Sequence, residues 1–384
     1  MNFKISLVLL CVFCFLVTGG FAVTYKISNP TDQVWIDAPV SFLWNEDASG
    51  LGSTDLVLVG TEILPVQCDD LDKDGKPDQW ISFISLGPGD AKTYELKKNT
   101  FGFQPPSRAH TGMYKKGIEG AGWESDRIAF RMYWDERNAF DIYGKRSLCL
   151  GLKQYAKPNV NYHQETPWGM DVLKVGPSLG SGGFGIFLDG KVQKVAKAKR
   201  DYEVIADGPL RAILELKYTD WVVGERTFDL TVRISMMAGQ KWATVKLWLT
   251  PGDPGPIPDF VAGVVKHEET VLIRDQEAGI LGRWGLQALA PGEKPKGSHL
   301  GFGVIVPSSH IVSMEEDDYN SFVRLKGMRP PVQMEPKRTN QRYMIYKVHA
   351  SWIHEPGGAD SAESYEAMLR NLAHLTPKVE KIED

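Results

Sequence analysis

Leu210-Arg-Ala-Ile-Leu-Glu-Leu-Lys-Tyr218 and Trp242-Ala-Thr-Val-Lys-Leu-Trp-Leu249 alternate apolar and polar residues along most of their length, with no glycine or proline inside either run. A period of two places alternate side chains on opposite faces of an extended strand. The two runs therefore read as long strands of a large antiparallel sheet with one buried face. Phe228 to Met236 supplies a third such strand between them.

Upstream, Val34-Trp35-Ile36, Val40 to Trp44, Leu56 to Val59 and Trp80 to Ile84 are shorter runs separated by turn residues, the pattern of a small antiparallel sandwich. Phe101 to Thr111, with Pro105-Pro106, reads as the linker. Only Ser361 to His374 carries a helical period, with Ser361 and Ser364 as caps near its start. The expected fold class is all-β: an N-terminal β-sandwich over 23–105, then a larger unit over 106–384 that ends in a short helix.

Residues 1–22 open with a lysine at position 4, continue with an apolar run from Ile5 to Val17 and end in small residues, which predicts a signal peptide cleaved after Ala22. The apolar run is shorter than the ~20 residues that span a bilayer. The expected protein is periplasmic or secreted, with no membrane attachment after cleavage. Cys68 and Cys149 remain beyond the signal, either as one disulfide or as two buried thiols. The 44 basic and 48 acidic residues give a formal charge of −4, which argues against a nucleic-acid partner.

Three segments carry side chains suited to chemistry. Asp70-Leu-Asp-Lys-Asp-Gly-Lys-Pro-Asp78 spaces Asp70, Asp72, Asp74 and Asp78 around Gly75, as in loops that wrap oxygen ligands around Ca²⁺. Ile81 stands where an EF-hand would place its closing glutamate, so any ion here would be structural, and a polar turn explains the residues equally well. No other cofactor is expected.

In Gly120 to Asp135, a period of two puts Ile128, Phe130, Met132 and Trp134 on one face and Arg127, Arg131 and Tyr133 on the other. Two guanidiniums beside a phenol form a cradle for a carboxylate or sulfate, unless neighbouring carboxylates pair them. The third segment, Asn161 to Lys174, offers His163 for proton transfer, Trp168 for stacking, and Asp171 and Lys174 for hydroxyl and carboxylate contacts, the groups a sugar site needs. His267 is a weaker candidate from a neighbouring strand. The glycine-rich run from Gly176 to Gly185 lacks the Gly-Lys-Ser/Thr ending of a phosphate loop.

Taken together, Val66 to Asp78, Gly122 to Arg131 with Asp141-Ile-Tyr-Gly-Lys145, and Tyr162-His163 with Trp168-Gly-Met-Asp171 resemble a secreted bacterial family labelled as a domain of unknown function. Its members are typically encoded among polysaccharide-degradation genes, and a similar protein of ulvan degradation is an oligosaccharide dehydratase. Asp207 to Tyr218 resembles the strand entry of galactose-mutarotase-like folds, which implies a β-supersandwich for the larger unit.

The resemblance implies loss of water from the non-reducing-end uronic acid of an acidic oligosaccharide, giving a 4,5-unsaturated sugar for a downstream unsaturated-uronyl hydrolase. Such an elimination needs the carboxylate neutralised before a base takes the C5 proton. Arg127 and Arg131 are the expected neutralisers and His163 the expected base. Tyr133 or Tyr162 would be the acid, and Trp123 or Trp168 the stacking platform. A polysaccharide lyase would use the same β-elimination chemistry with a sugar as leaving group, and a non-catalytic carbohydrate-binding protein would need only the aromatic platforms.

Overall fold

The computed structural model describes residues 23–287, 298–331, 338 and 340–382. The expected signal peptide lies outside these residues. Strands make up 53% of the described residues and helices 7%, so the fold is all-β.

The three runs that open the sequence reading become neighbouring strands, Arg211–Val223, Arg226–Met237 and Trp242–Pro251, in the middle of an eight-stranded antiparallel sheet. Two five-stranded sheets lie over it. One contains Ser181–Leu188 and the other Ile128–Tyr133, and a parallel bridge from Phe140 to Gly180 joins them, so the large unit is two broad β-layers around one core. Val232, Ile234, Val245 and Leu247 from one layer meet Phe130, Phe140, Phe184 and Ala262 from the other.

One expectation about the large sheet is corrected. Arg211 to Leu216 is buried on both faces, because the N-terminal unit covers the second. Gln67 Oε1 accepts the backbone N–H groups of Leu210 and Arg211, and Asp69 pairs with the Arg211 guanidinium. Buried polar residues joined in this way satisfy one another where apolar packing alone would leave the charge stranded.

The N-terminal unit is a small sandwich of a three-stranded and a five-stranded sheet, with Phe42 stacked on Trp80 at 3.7 Å between centroids. Val34 to Trp44 forms one strand, Trp35–Leu43, with a register shift between Trp35 and Ala38. The C-terminal strand Lys378–Ile382 pairs with Val23–Ser28 in this sandwich, so the end of the chain returns to the first unit. The glycine-rich run supplies the strand Ser181–Leu188. At Gly182 (φ +86°) a Cβ would stand 2.3 Å from Val348 Cγ2.

The helix Ala362–Ala373 begins at a capping box in which Ser361 and Ser364 bond reciprocally. It lays Tyr365 and Leu369 on the large sheet, where Gly301 is required: a Cβ there would lie 2.3 Å from the Tyr365 ring. Cys68 and Cys149 are both free thiols.

Candidate functional site

The five-stranded sheet that contains Ile128–Tyr133 turns one face to the core and carries a polar cluster on the other. Register sets the cluster: Arg131 is opposite Asp141, and Tyr143 is opposite Asp171 on the short edge strand Gly169–Asp171. The segment between the two outer strands folds back over this face. Asp171 N–H donates to the Tyr162 carbonyl at 2.8 Å, which fixes Tyr162 and His163 beside the carboxylate. Gly169, at φ +132°, makes the close turn possible, since a Cβ would collide with the Gly144 carbonyl.

Arg131 is the hub. Its Nε donates to Asp141 Oδ2 at 2.9 Å, Nη1 donates to the Ile118 carbonyl at 2.8 Å and to Tyr162 Oη at 3.4 Å, and Nη2 donates to Tyr133 Oη at 2.5 Å. Nη2 also lies 3.6 Å from Asp171 Oδ2. Two carboxylates thus share one guanidinium out of reach of water. Burial pushes both Asp141 and Asp171 above the usual carboxylate range, and the facing Asp141 carboxylate raises Asp171 further.

His163 sits at the mouth with 56% of its side chain exposed, its Nδ1 3.5 Å from Asp171 Oδ2. Partial burial and the nearby Arg131 charge hold it below the ordinary histidine value, so it is a neutral imidazole at neutral pH. Its ring leans on Tyr162 with centroids 4.4 Å apart. Tyr133 is pushed above the ordinary phenol value by burial and by Asp141, so it keeps its proton. Arg137, paired with Asp135, lies over the Tyr133 ring at 3.5 Å from the centroid.

The structure brings together His163, Tyr162, Asp171, Arg131 and Tyr133, and it separates the other expected residues. Arg127 is a correction: Asp126-Arg127 forms the turn between Gly120–Ser125 and Ile128–Tyr133, and the Arg127 side chain lines a cavity of about 330 Å³ with Trp242 and His349. Arg131 is corrected in role, because its N–H groups are spent on protein acceptors and it is 1% exposed.

Trp123 is also corrected. It is fully buried between Phe130 and Phe140 and offers no stacking platform. Trp168 is half-buried, packed against the small core cluster that holds Tyr143 and Tyr155, and its indole N–H lacks a hydrogen-bond partner. Lys174 and His267 meet elsewhere: His267 Nε2 contacts the Lys174 carbonyl at 2.8 Å, and the two residues line a separate cavity of about 140 Å³.

In the acidic loop, Asp70, Asp72 and Asp78 bring carboxylate oxygens within 4.8 Å of one another, while Asp74 Oδ1 accepts the Lys76 N–H and stands outside that group. The loop also closes on itself, with Gly75 N–H donating to Asp70 and Leu71 N–H to Asp78.

Asp141 and Tyr143, part of the segment Asp141-Ile-Tyr-Gly-Lys145, receive no site role from the sequence. Their pairing with Arg131 and Asp171 depends on strand register, which no local pattern specifies.

The model of a family described as a domain of unknown function, DUF4861, matches residues 27–379. A protein of Formosa agariphila described as "Uncharacterized protein P7" is 24% identical over 317 residues, 76% of this chain and 77% of its own length. Two solved structures from Enterococcus faecalis, a protein in the glycosyl hydrolase family 38 and an alpha-mannosidase, are similar at 9% identity with TM-scores of 0.47 and 0.48. They cover 94% of this chain, which spans only 48% and 46% of theirs, about half their length. With the family match running from the first described strand to the last, the chain belongs to the DUF4861 family.

Proposed function

We propose that the protein is a dehydratase that removes water from the non-reducing-end uronic acid of an acidic, ulvan-type oligosaccharide and leaves a 4,5-unsaturated residue. One observation carries this reading: a neutral, solvent-facing His163 stands against the buried Asp171–Asp141–Arg131 group, with two phenols alongside. That set supplies a base and an acid on one surface.

In the proposed reaction, His163 Nε2 takes the C5 proton, the C4–O bond breaks, and the departing hydroxyl leaves as water with a proton from Tyr162 or Tyr133. The imidazolium that forms is stabilised by the carboxylates behind it. Arg131 holds those carboxylates and the phenols in place. Neutralisation of the uronate is assigned to Arg137, which is 46% exposed on its side chain and lies against Tyr133. Export under the 1–22 signal would put the enzyme in the periplasm or outside the cell, ahead of a hydrolase that consumes unsaturated uronyl ends.

Uronate-ended oligosaccharides incubated with the protein should develop absorbance near ~235 nm, the band of a conjugated unsaturated uronate, with loss of one water (~18 Da) and no change in chain length. Chain cleavage would make the protein a lyase. Binding with no unsaturation on any uronate-ended substrate would make it a carbohydrate-binding protein.

A further inference from the structure

At the edge of the same sheet opposite Asp171, three side chains that the proposed reaction does not use form a second hydrogen-bonded array. His110 and Tyr114 point to the same side of the edge strand Ala109–Tyr114, and Asp207 ends the strand Lys197–Asp207. His110 Nδ1 lies 2.7 and 3.0 Å from the two Asp207 oxygens, and Nε2 lies 2.8 Å from Tyr114 Oη. We propose that Tyr114, His110 and Asp207 form a proton relay in which the Tyr114 phenol exchanges a proton with a hydroxyl of a bound carbohydrate.

The chemistry follows from the donor inventory. An ionised carboxylate only accepts, so Asp207 requires Nδ1 to carry the hydrogen, and Nε2 is left with a lone pair that accepts the Tyr114 O–H. Asp207 is ionised: burial works against the charge, but hydrogen bonds from His110 and from Thr111 N–H, at 2.9 Å, outweigh it and hold the carboxyl below its usual range. The phenol can therefore pass its proton to an imidazole whose cationic form is already compensated. This is the arrangement by which a histidine and a carboxylate activate a weak oxygen acid.

Tyr114 is half-buried, and burial together with the Glu124 and Asp207 charges raises its phenol above the ordinary value, so the hydroxyl keeps its proton until a base takes it. Gly112 and Tyr114 share one face, and a Cβ at Gly112 would lie 3.7 Å from Tyr114 Oη, so glycine leaves that side of the oxygen uncovered. Lys115 and Lys116 follow Tyr114 on the exposed surface, and Lys153 is close enough to act on Asp207, which favours an anionic sugar. Glu124, the nearest carboxylate on the same face, is committed to Lys145 and to the N–H groups of Gly151 and Leu152. Strand attachment does not need the hydroxyl: Thr111 N–H to Asp207 and Arg108 N–H to the Pro209 carbonyl already tie the two strands together.

The relay rests on the acidic-oligosaccharide part of the proposed function but not on its elimination step, and its test needs no turnover. The full chain is treated with phenylsulfonyl fluoride, and labelled tyrosines are quantified by peptide mass spectrometry. The phenol oxygen forms an S–O bond, the S–F bond breaks, fluoride departs, and the phenolic proton passes to His110 Nε2. Tyr114 is expected to label at least roughly tenfold faster than the exposed Tyr202 and Tyr319, and to lose that advantage in His110→Gln and in the milder Asp207→Asn, as expected when a base activates a nucleophile. His163→Ala should leave the labelling intact. Uronate-ended oligosaccharide should slow labelling of Tyr114 at least about fivefold by occupying the site. Labelling no faster than at Tyr202, indifference to both relay substitutions, or no protection by the oligosaccharide would each overturn the proposal.

Discussion

Arg131 and Asp141 face each other across neighbouring strands with Nε 2.9 Å from Oδ2, both 1% exposed, and Asp171 shares the same guanidinium from the next strand. One cation thus serves two carboxylates, both of which burial pushes toward the protonated form. Arg131→Met would leave two buried acids without their counter-ion and should cost about 3–5 kcal/mol. Asp141→Asn should cost clearly less, because Asp171 can then ionise against Arg131 alone. Urea denaturation of both variants measures the difference, and equal losses would count against one cation serving both carboxylates.

His163 should separate catalysis from stability. Its side chain is more than half exposed and its one carboxylate contact is long, so His163→Ala should leave the unfolding free energy within about 0.5 kcal/mol of wild type. Loss of a general base should lower kcat by roughly 10²–10⁴-fold. Parallel measurement of turnover and melting checks both halves; a large stability loss with normal turnover would make His163 a structural residue.

The same histidine sets the acid side of the pH profile. A base must be unprotonated, and burial together with Arg131 holds His163 below the ordinary value of about 6.5. Activity should therefore rise with pH and reach its plateau before the ordinary histidine range is passed, a shift visible as an acid limb of kcat/KM below about 6.5. Replacement of Arg131 removes one cause of the depression and should move that limb upward.

The all-β fold and the C-terminal helix were legible because Leu210 to Tyr218 and Trp242 to Leu249 alternate along most of their length and Ser361 carries its cap in the sequence. The return of Lys378–Ile382 to Val23–Ser28 was not, since strand pairing across the whole chain leaves no local mark. Within the site, His163, Tyr162 and Asp171 were legible as one loop. Arg127 was misplaced because a uniform period of two ran through Asp126-Arg127, where the chain turns on the Ser125 hydroxyl, which accepts the Arg127 N–H at 3.0 Å. Trp123 was misplaced because alternation cannot say which face of a sheet meets a second layer. Asp207 lies 97 residues from His110, and only the folded register joins them.

His349 offers a test of the packing between the helix and the large sheet. It is buried beneath Tyr365, 3.4 Å from that hydroxyl, and burial together with Lys241 lowers its pKa to about 3. The folded state therefore refuses a proton that the unfolded chain accepts near pH 6.5, so this residue's contribution to stability is complete above 6.5 and is lost as pH falls toward 3, by up to about 1.4 kcal/mol per pH unit. Buried carboxylates with raised values, Asp141, Asp171 and Glu355, act in the opposite sense over the same range, because the folded state holds their protons more tightly. The difference between wild type and His349→Asn isolates the histidine. Relative to wild type, the variant should gain stability steadily as pH is lowered from 6.5 to 4, read from urea midpoints at each pH, and a difference that stays constant across that window would mean that His349 is protonated in the folded protein.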